Sequence, residues 1–259
     1  MSTHYFVGWS VGSWNCDDAK RKDALVVLHQ HDGALEVTGM PLRTNVRNVL
    51  VSTHREELIR RLLGVCSVRV QAGLRVTLAV DTPLGWPVAF VDLFTTRRAR
   101  DVPEAADDNP VLFRTTERAL LDRGFRPLSA VRDMIGSPSS KALHFLKRVG
   151  FAPVEPGVFR VVSPRTSSVY EAIETIPSIA KRSATLAEAF APLIADPRIE
   201  AVVEDDKHAA QDFTSAVWCA LVARRYVTMR DTLYVPEVDV PPNEGWIWIP
   251  RDAEPPKKR

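Results

Sequence analysis

Acidic residues close two of the apolar runs that predict strands. Asp81 follows the run Leu74–Val80, and Glu174 follows the run Val169–Ile173. Carboxylates clustered at strand ends repel one another unless a cation neutralises them, and hard divalent cations take oxygen ligands. Two Mg²⁺ ions held in this way clamp the attacking and leaving oxygens of a phosphodiester during hydrolysis. Both acids are therefore candidate metal ligands, although Glu174 is also explained as the partner of an arginine.

Further acids lie in the opening turns of the long helix predicted over Asp205–Arg225. Asp206 and Asp212 are candidate ligands there. His208 shares a helix face with Asp212, because the two are four residues apart, and it is a candidate proton carrier. Asp205 and Asp206 also have an ordinary structural explanation, since acidic residues stabilise a helix N-terminus.

Basic and aromatic residues lie near the same predicted strand ends. Arg114 precedes the helix predicted over Thr115–Arg123, after an irregular and charged loop predicted over Trp86–Pro110. Arginines can track a phosphate backbone, and tryptophans can stack on bases. Core or edge positions are the favoured explanation of the tryptophans. The candidates for nucleic-acid contact are Arg97, Arg98, Arg100, Arg114, Trp9, Trp14 and Trp86.

The segment Gly8–Gly12 matches G-x-S-x-G, the nucleophile elbow of α/β-hydrolases, with Ser10 at its centre. The elbow needs a helix directly after the turn, yet Ser13–Lys22 is polar and has no apolar helical period. It also needs an upstream oxyanion loop, and only seven residues precede the match. A serine hydrolase is therefore a weaker hypothesis than a strand whose glycines let another backbone approach closely.

The composition excludes several classes of protein. The 259 residues carry a net charge of +2, with 45% hydrophobic and 25% charged residues, which is typical of a globular protein and not of a disordered or strongly basic one. Three cysteines (Cys16, Cys66 and Cys219) make no disulfide framework and favour a reducing compartment. Met1–Tyr5 has no basic region before an apolar run, and no run approaches the ~18 apolar residues of a membrane helix. We expect a cytoplasmic protein without a membrane partner.

The predicted strands and helices that position these residues indicate one α/β domain over residues 1–250. Residues 251–259 are predicted to form a solvated tail. Strands open the chain, and helices are interleaved later. The predicted strands are Tyr5–Ser10, Ala24–His29, Ala34–Met40, Leu74–Val80, Val158–Ser163, Val169–Ile173 and Gly245–Ile249. The predicted helices are Asn45–Leu63, Thr115–Arg123, Ser139–Val149, Ala184–Ile194 and Asp205–Arg225.

Six segments, taken in order, resemble the DUF429 family of predicted nucleases with the ribonuclease H-like fold. The resemblance extends over about residues 5–250. The segments are VGWSVG (7–12), VDTPLG (80–85), RTTE (114–117), ETIP (174–177), HAAQDFTSAVWCALVA (208–223) and GWIWIP (245–250).

The resemblance implies a ribonuclease H-like mixed sheet, with three antiparallel opening strands and flanking helices, and a Mg²⁺ or Mn²⁺ site at the strand ends. Asp81 and Glu174 match the strand-end acids of the family, and Asp212 matches the acid on the final helix. Asp206 would be an auxiliary ligand. Arg114 and Glu117 match a motif of uncertain role, which we assign to substrate binding.

One position departs from the family pattern, because Ser10 stands where the first strand normally carries a metal-bridging aspartate. Either the protein has lost catalysis, or the aspartate was exchanged to inactivate the chain, or Asp17 or Asp18 compensates. The leading hypothesis is a metal-dependent nuclease that acts on DNA or RNA, inactive in this chain if Ser10 abolishes the site. The alternative is a non-catalytic module on the same fold that binds nucleic acid or protein.

Overall fold

The computed structural model describes residues 3–14, 22–51, 57–99, 101, 103–203 and 206–257. Within these residues, eight strands form one mixed sheet flanked by helices. The predicted α/β class is confirmed at this level. The strands are β1 (His4–Ser10), β2 (Asp23–His31), β3 (Ala34–Val37), β4 (Leu42–Thr44), β5 (Arg75–Val80), β6 (Ala152–Glu155), β7 (Val158–Val162) and β8 (Val169–Glu174).

The sheet runs in the order β3-β2-β1-β5-β8-β7-β6, and β4 pairs with β2 beside β3. The first three strands are antiparallel, as expected. The central strands β1, β5 and β8 are parallel, so their carboxyl ends meet at one edge of the sheet. This edge holds Ser10, Asp81 and Glu174, which end or directly follow those strands.

Helices cover both faces of the sheet. The long final helix packs its buried residues against one face, with Phe6, Ala79 and Ile173 in the same cluster. Three other helices pack against the opposite face, with Trp9, Leu78 and Ala172. The helices are α1 (Arg47–Val51), α2 (Glu57–Val65), α3 (Val88–Thr95), α4 (Thr115–Asp122), α5 (Gly136–Val149), α6 (Pro177–Ala180), α7 (Ala184–Ile194), α8 (Pro197–Val203) and α9 (Lys207–Thr228). The final helix is α9, and α1, α2 and α5 cover the opposite face.

The approach of α9 to β1 depends on Gly8. A Cβ at this position would overlap the carbonyl oxygen of Ala216, so only glycine lets the two backbones lie this close. Asp212 lies one turn before Ala216 on α9 and is thereby brought towards the end of β1. The expectation that the glycines of this strand serve close backbone approach is confirmed at Gly8.

Three expectations for the elements were wrong. The segment 86–110 is not an irregular loop throughout, because it contains α3. That helix is short, and Asp92 and Thr95 make too small a polar face for helical periodicity to be recognised. Gly245–Ile249 is not a strand but a buried segment that makes a single bridge, from Ile247 to Glu174. In the tail, Ala253 is buried and Asp252 accepts hydrogen bonds from the hydroxyls of Ser183 and Thr185, so this part is docked on the domain.

The helix predicted over Asn45–Leu63 corresponds to α1 and α2, and residues 52–56 between them lie outside the described part. No helix among the described residues has both the length and the apolar character needed to cross a membrane.

Candidate functional site at the ends of the parallel strands

The best-defined polar contact at the strand ends joins Ser10 to Asp81. The Ser10 hydroxyl donates to Oδ2 of Asp81 at 2.8 Å, and the backbone N–H of Val11 donates to Oδ1 at 2.7 Å. Both oxygens of the partly buried carboxylate are therefore occupied by donors from the end of β1. Ser10 stands where the family pattern has a metal-bridging aspartate, and here its hydroxyl donates a hydrogen bond to Asp81.

The pKa of Asp81 is higher than is usual for an aspartate. Its withdrawal from water raises its pKa to about 6, against the opposing effect of the hydrogen bonds from Val11 and Ser10. The charge of Asp212 raises this pKa further, so the two carboxylates lie within electrostatic reach of each other. Asp81 in turn contributes to the raised pKa of the Cys219 thiol, which is buried on α9, after the larger effect of burial.

The acids on α9 are cross-linked by an arginine that sequence analysis did not identify. Arg43, on β4, donates from Nε to Asp212 at 2.9 Å and from Nη1 to Asp206 at 2.9 Å. Burial raises the pKa of Asp212, and the contact with Arg43 opposes that rise. Asp206 also caps α9, because it accepts hydrogen bonds from the backbone N–H groups of His208 and Ala209, which lower its pKa.

His208 is exposed on the first turn of α9, and its charge lowers the pKa values of Asp206 and Asp212 after the larger effects of other groups. Its prediction as a proton carrier is not tested by this geometry. Asp205, Asp17 and Asp18 lie outside the described residues.

Glu174 lies on the other face of the sheet from Asp81. The register pairs Trp9 with Val80 and Val80 with Glu174, so these three side chains share the face that α5 covers. Ser10 and Asp81 come one residue later in their strands and point to the face that α9 covers. Asp81 therefore lies within electrostatic reach of Asp212, whereas Glu174 points to the opposite face of the sheet.

Glu174 is held in a buried ion cluster with Arg114 and Glu117. Arg114 donates to Glu174 from Nη1 at 2.8 Å and from Nη2 at 2.6 Å, and to Glu117 from Nε at 2.9 Å. The side chains of Arg114 and Glu117 are 0% exposed. The backbone N–H groups of Arg114 and Leu84 donate to Glu117 and Glu174, respectively. The structure thus places both motif residues inside the protein, beyond the reach of a substrate, and the alternative that Glu174 pairs with an arginine is confirmed.

A second buried ion pair holds the segment that follows β1. Asp23 accepts hydrogen bonds from Lys141 Nζ at 2.7 Å, from the Trp9 indole at 2.9 Å and from the backbone N–H groups of Gly12 and Val46. Sequence analysis missed both Asp23 and Lys141, since they are far apart in the chain and belong to no motif. Trp9 is fully buried, so its prediction as a stacking residue for bases was wrong.

The other aromatic candidates lie around the start of α5. The Trp14 indole donates to the Ser140 hydroxyl at 2.9 Å, and the Trp14 backbone N–H donates to the Ser137 hydroxyl at 3.1 Å. The Trp86 ring lies against Gly136, where an added Cβ would be 3.2 Å from its Cη2 atom. Both rings remain partly exposed, and Arg97 and Arg98 are exposed beyond α3. Arg100 lies outside the described residues.

The donor set does not fit a two-metal centre. The described residues hold no group of three or more histidine, cysteine, aspartate or glutamate side chains arranged for a metal ion. On the face covered by α9, the aligned strand-end residues are Ser10, Asp81 and Thr175, so only one of the three is a carboxylate. The acids on α9 are already neutralised in part by Arg43.

The serine-hydrolase hypothesis also lacks support from the geometry. The Ser10 hydroxyl donates to a carboxylate, and the described residues place no histidine as its hydrogen-bond partner. Residues 11–13 after β1 are not helical, whereas a nucleophile elbow leads directly into a helix.

Comparisons of the chain with family models, with curated proteins and with solved structures find no match in any of the three. The interpretation of the site therefore rests on its own geometry.

Proposed function

We propose that the protein is a nucleic-acid-binding module with a ribonuclease H-like sheet that does not hydrolyse phosphodiesters. The absence of hydrolysis in this proposal rests on the cross-link from Arg43 to both Asp206 and Asp212. A guanidinium supplies a permanent positive charge at the acids that would otherwise require a metal ion. The binding of nucleic acid rests on the exposed Arg97 and Arg98 and the partly exposed Trp86 near the same edge of the sheet.

Three features of the sheet support the ribonuclease H-like assignment. Its first three strands are antiparallel, its central strands β1, β5 and β8 are parallel, and acids lie at the carboxyl ends of the last two. The long helix α9 crosses behind β1 and delivers a further acid to the same edge. This arrangement agrees with what the resemblance to the DUF429 family implies.

The absence of hydrolysis follows from the ligands. A two-metal mechanism needs several carboxylates that converge on one volume. Here Glu174 lies on the opposite face and is bound twice by Arg114, while Ser10 contributes only a hydroxyl. Arg43 balances the negative charge of the acids, but a guanidinium cannot activate a water molecule as bound Mg²⁺ does. The site therefore lacks a group that could start hydrolysis.

A metal-dependent nuclease remains the second candidate, and one observation favours it. Asp81 and Asp212 interact electrostatically, and both have raised pKa values, which a divalent cation placed between them would reverse. This candidate requires Arg43 to release Asp212 when metal and substrate bind.

The test combines binding and cleavage on one set of samples. Labelled single- and double-stranded DNA and RNA are incubated with the wild type, Ser10→Asp and Asp81→Asn, with and without Mn²⁺. We expect the wild type to shift at least one nucleic acid and to cleave none. Cleavage by the wild type that disappears in Asp81→Asn, or cleavage by Ser10→Asp that disappears when Asp81→Asn is added to it, would support the nuclease instead. If no nucleic acid is shifted by any of these proteins, the binding proposal fails.

A further inference from the structure

The helix α3 (Val88–Thr95) is apolar and nevertheless exposed. Of its eight residues only Ala89 is buried, whereas Val91, Leu93 and Phe94 are exposed, with Phe94 at 69%. A helix this rich in apolar residues, with Asp92 as its one charged residue, normally lies in a protein interior. Exposed apolar surface of this kind marks a binding site, so we expect α3 to bind a ligand or a partner.

Three aromatic rings run along one side of this helix. Trp86 stacks on Phe90 with ring centroids 5.7 Å apart and planes inclined by 20°, and Phe90 meets Phe94 edge-on at 5.0 Å. Their spacing of four residues places them on one face. We call Trp86, Phe90 and Phe94 the aromatic strip.

The aromatic strip begins at the strand-end site. The turn 82–85 leads from Asp81 directly to Trp86, and the Ser139 hydroxyl of α5 donates to the Pro83 carbonyl in that turn at 2.7 Å. At the start of α3, the backbone N–H of Val88 donates to the Glu244 carboxylate at 2.8 Å. The strip is therefore anchored at the end that adjoins the site, and it leads from there to the exposed ring of Phe94.

Two cations follow the exposed end of the strip. Arg97 and Arg98 come three and four residues after Phe94, and both are exposed. Throughout the part of the chain that the structure describes, neither guanidinium has a hydrogen-bond or salt-bridge partner. Arg97 has a backbone φ of 55°, an uncommon conformation for a residue other than glycine.

We propose that the aromatic strip and Arg97 and Arg98 bind a single-stranded nucleic acid, with bases on the rings and phosphates at the guanidiniums. This inference rests on the proposed nucleic-acid-binding function and assigns the surface and the strandedness. Aromatic rings stack on unpaired bases of any sequence, and clustered cations track the backbone. A purely apolar protein partner would leave the two arginines without a counter-charge, whereas a polyanion satisfies them and the rings together.

The first experiment measures the binding of labelled oligo-dT and oligo-U, each of about 20 nucleotides, by fluorescence anisotropy. We expect Phe94→Ala to weaken binding by roughly 5- to 100-fold, the range for the loss of one base stack. Phe94→Leu keeps most of the apolar area but loses the ring, and we expect a similar loss. Because Phe94 is exposed, both variants should keep the melting temperature of the wild type.

The second experiment tests the cations through the salt dependence of binding. Each lost phosphate contact on a single strand lowers the slope of log K against log salt by about 0.7. We expect Arg97→Gln with Arg98→Gln to lower the slope by roughly one to one and a half units. Arg182→Gln is the matched control, because Arg182 is also exposed but lies beyond α6, and it should leave the slope unchanged.

The outcomes separate this inference from the proposed function. If the wild type binds no nucleic acid, the proposed function fails and this inference fails with it. If the wild type binds and neither Phe94→Ala nor the double arginine variant weakens binding, only the assignment of the surface is overturned. Full binding by Phe94→Leu would contradict base stacking. Self-association of the wild type in sedimentation, abolished by Phe94→Ala, would identify the strip as an interface between copies and overturn the inference.

Discussion

The protein places two arginine–carboxylate clusters at one edge of its sheet, on opposite faces. In one, Arg114 joins Glu174 and Glu117, and the two side chains of the Arg114–Glu117 pair are fully buried. In the other, Arg43 joins Asp212 and Asp206, whose side chains are 18% and 42% exposed. The first cluster is closed to solvent, whereas in the second, which we call the open cluster, the two aspartates keep contact with solvent and Arg43 is 11% exposed.

The difference predicts which cluster contributes more to the stability of the fold. A buried ion pair cannot lose one member without leaving an unpaired charge in the interior, so the Arg114 cluster acts as part of the framework. The aspartates of the Arg43 cluster keep contact with water, which screens their charges, so this cluster should contribute less, although Arg43 itself is only 11% exposed. A ligand can therefore reach the acids on the α9 face, and not Glu174.

The largest effect is expected from breaking the buried cluster. Arg114→Met removes the guanidinium and leaves Glu174 and Glu117 without their partner, which should lower the free energy of unfolding by about 3–5 kcal/mol. Urea denaturation measures this loss. Arg43→Met is the matched control, and we expect its loss to be clearly the smaller of the two. Equal losses would contradict the distinction between a closed and an open cluster.

The next largest effect concerns the packing that brings α9 to the open cluster. Gly8→Val places side-chain atoms where the Ala216 backbone lies and must displace α9, with an expected loss of about 1–3 kcal/mol or more. Gly33→Val is a useful contrast, although its left-handed φ adds strain, because nothing lies within 4 Å of an added Cβ there. A Gly8→Val variant as stable as the wild type would show that the close approach is not required.

A smaller effect should appear in the pH dependence of stability. The pKa of Asp81 is raised to about 6 in the folded protein, so the folded state retains this proton between about pH 4 and 6 while the unfolded state loses it. Its contribution to stability is therefore present below pH 4 and is lost as the pH rises through 6. We expect the free energy of unfolding of Asp81→Asn, minus that of the wild type, to increase by about 1–2 kcal/mol from pH 4 to pH 7. The change is kept to this size because Asp81 retains some contact with water. Denaturation curves across this range measure it, and a flat difference would contradict the raised pKa.

The smallest effect is a change in the pKa of Asp81 itself. The Ser10 hydroxyl bonds to the ionised carboxylate and lowers its pKa, so Ser10→Ala should move that pKa above about 6. Carbon-13 NMR of the labelled carboxyl group follows the titration. A lower pKa in Ser10→Ala would mean that the hydroxyl does not donate to this carboxylate.

Much of the sheet was predictable from the sequence, because β1, β2, β5 and β8 have apolar or β-branched runs with clear breaks. The antiparallel start of the sheet was also expected, from the family resemblance. The helix α3 escaped prediction because it is short and Asp92 and Thr95 alone make too small a polar face to reveal helical periodicity. The segment Trp246–Ile249 was mistaken for a strand because a segment that is buried on all sides has the same run of large apolar residues as a central strand.

The candidate site was predictable only in part. Asp81, Asp206 and Asp212 could be picked out as acids at element ends, and Asp81 and Asp212 lie within electrostatic reach of each other. Glu174 aligns with Val80, one residue before Asp81, and therefore lies on the face opposite to Asp81. No local sequence pattern specifies this register. Arg43 belongs to a three-residue strand, and only the tertiary fold brings it to acids more than 160 residues away.

The most direct test of the central claim is the binding of Mn²⁺ to the wild type and to Asp81→Asn, followed by electron paramagnetic resonance of the free ion. If Arg43 supplies the positive charge at the acids, both proteins should leave the free Mn²⁺ signal undiminished and indistinguishable. Stoichiometric loss of the signal with the wild type, abolished by Asp81→Asn, would contradict the account and establish a metal centre.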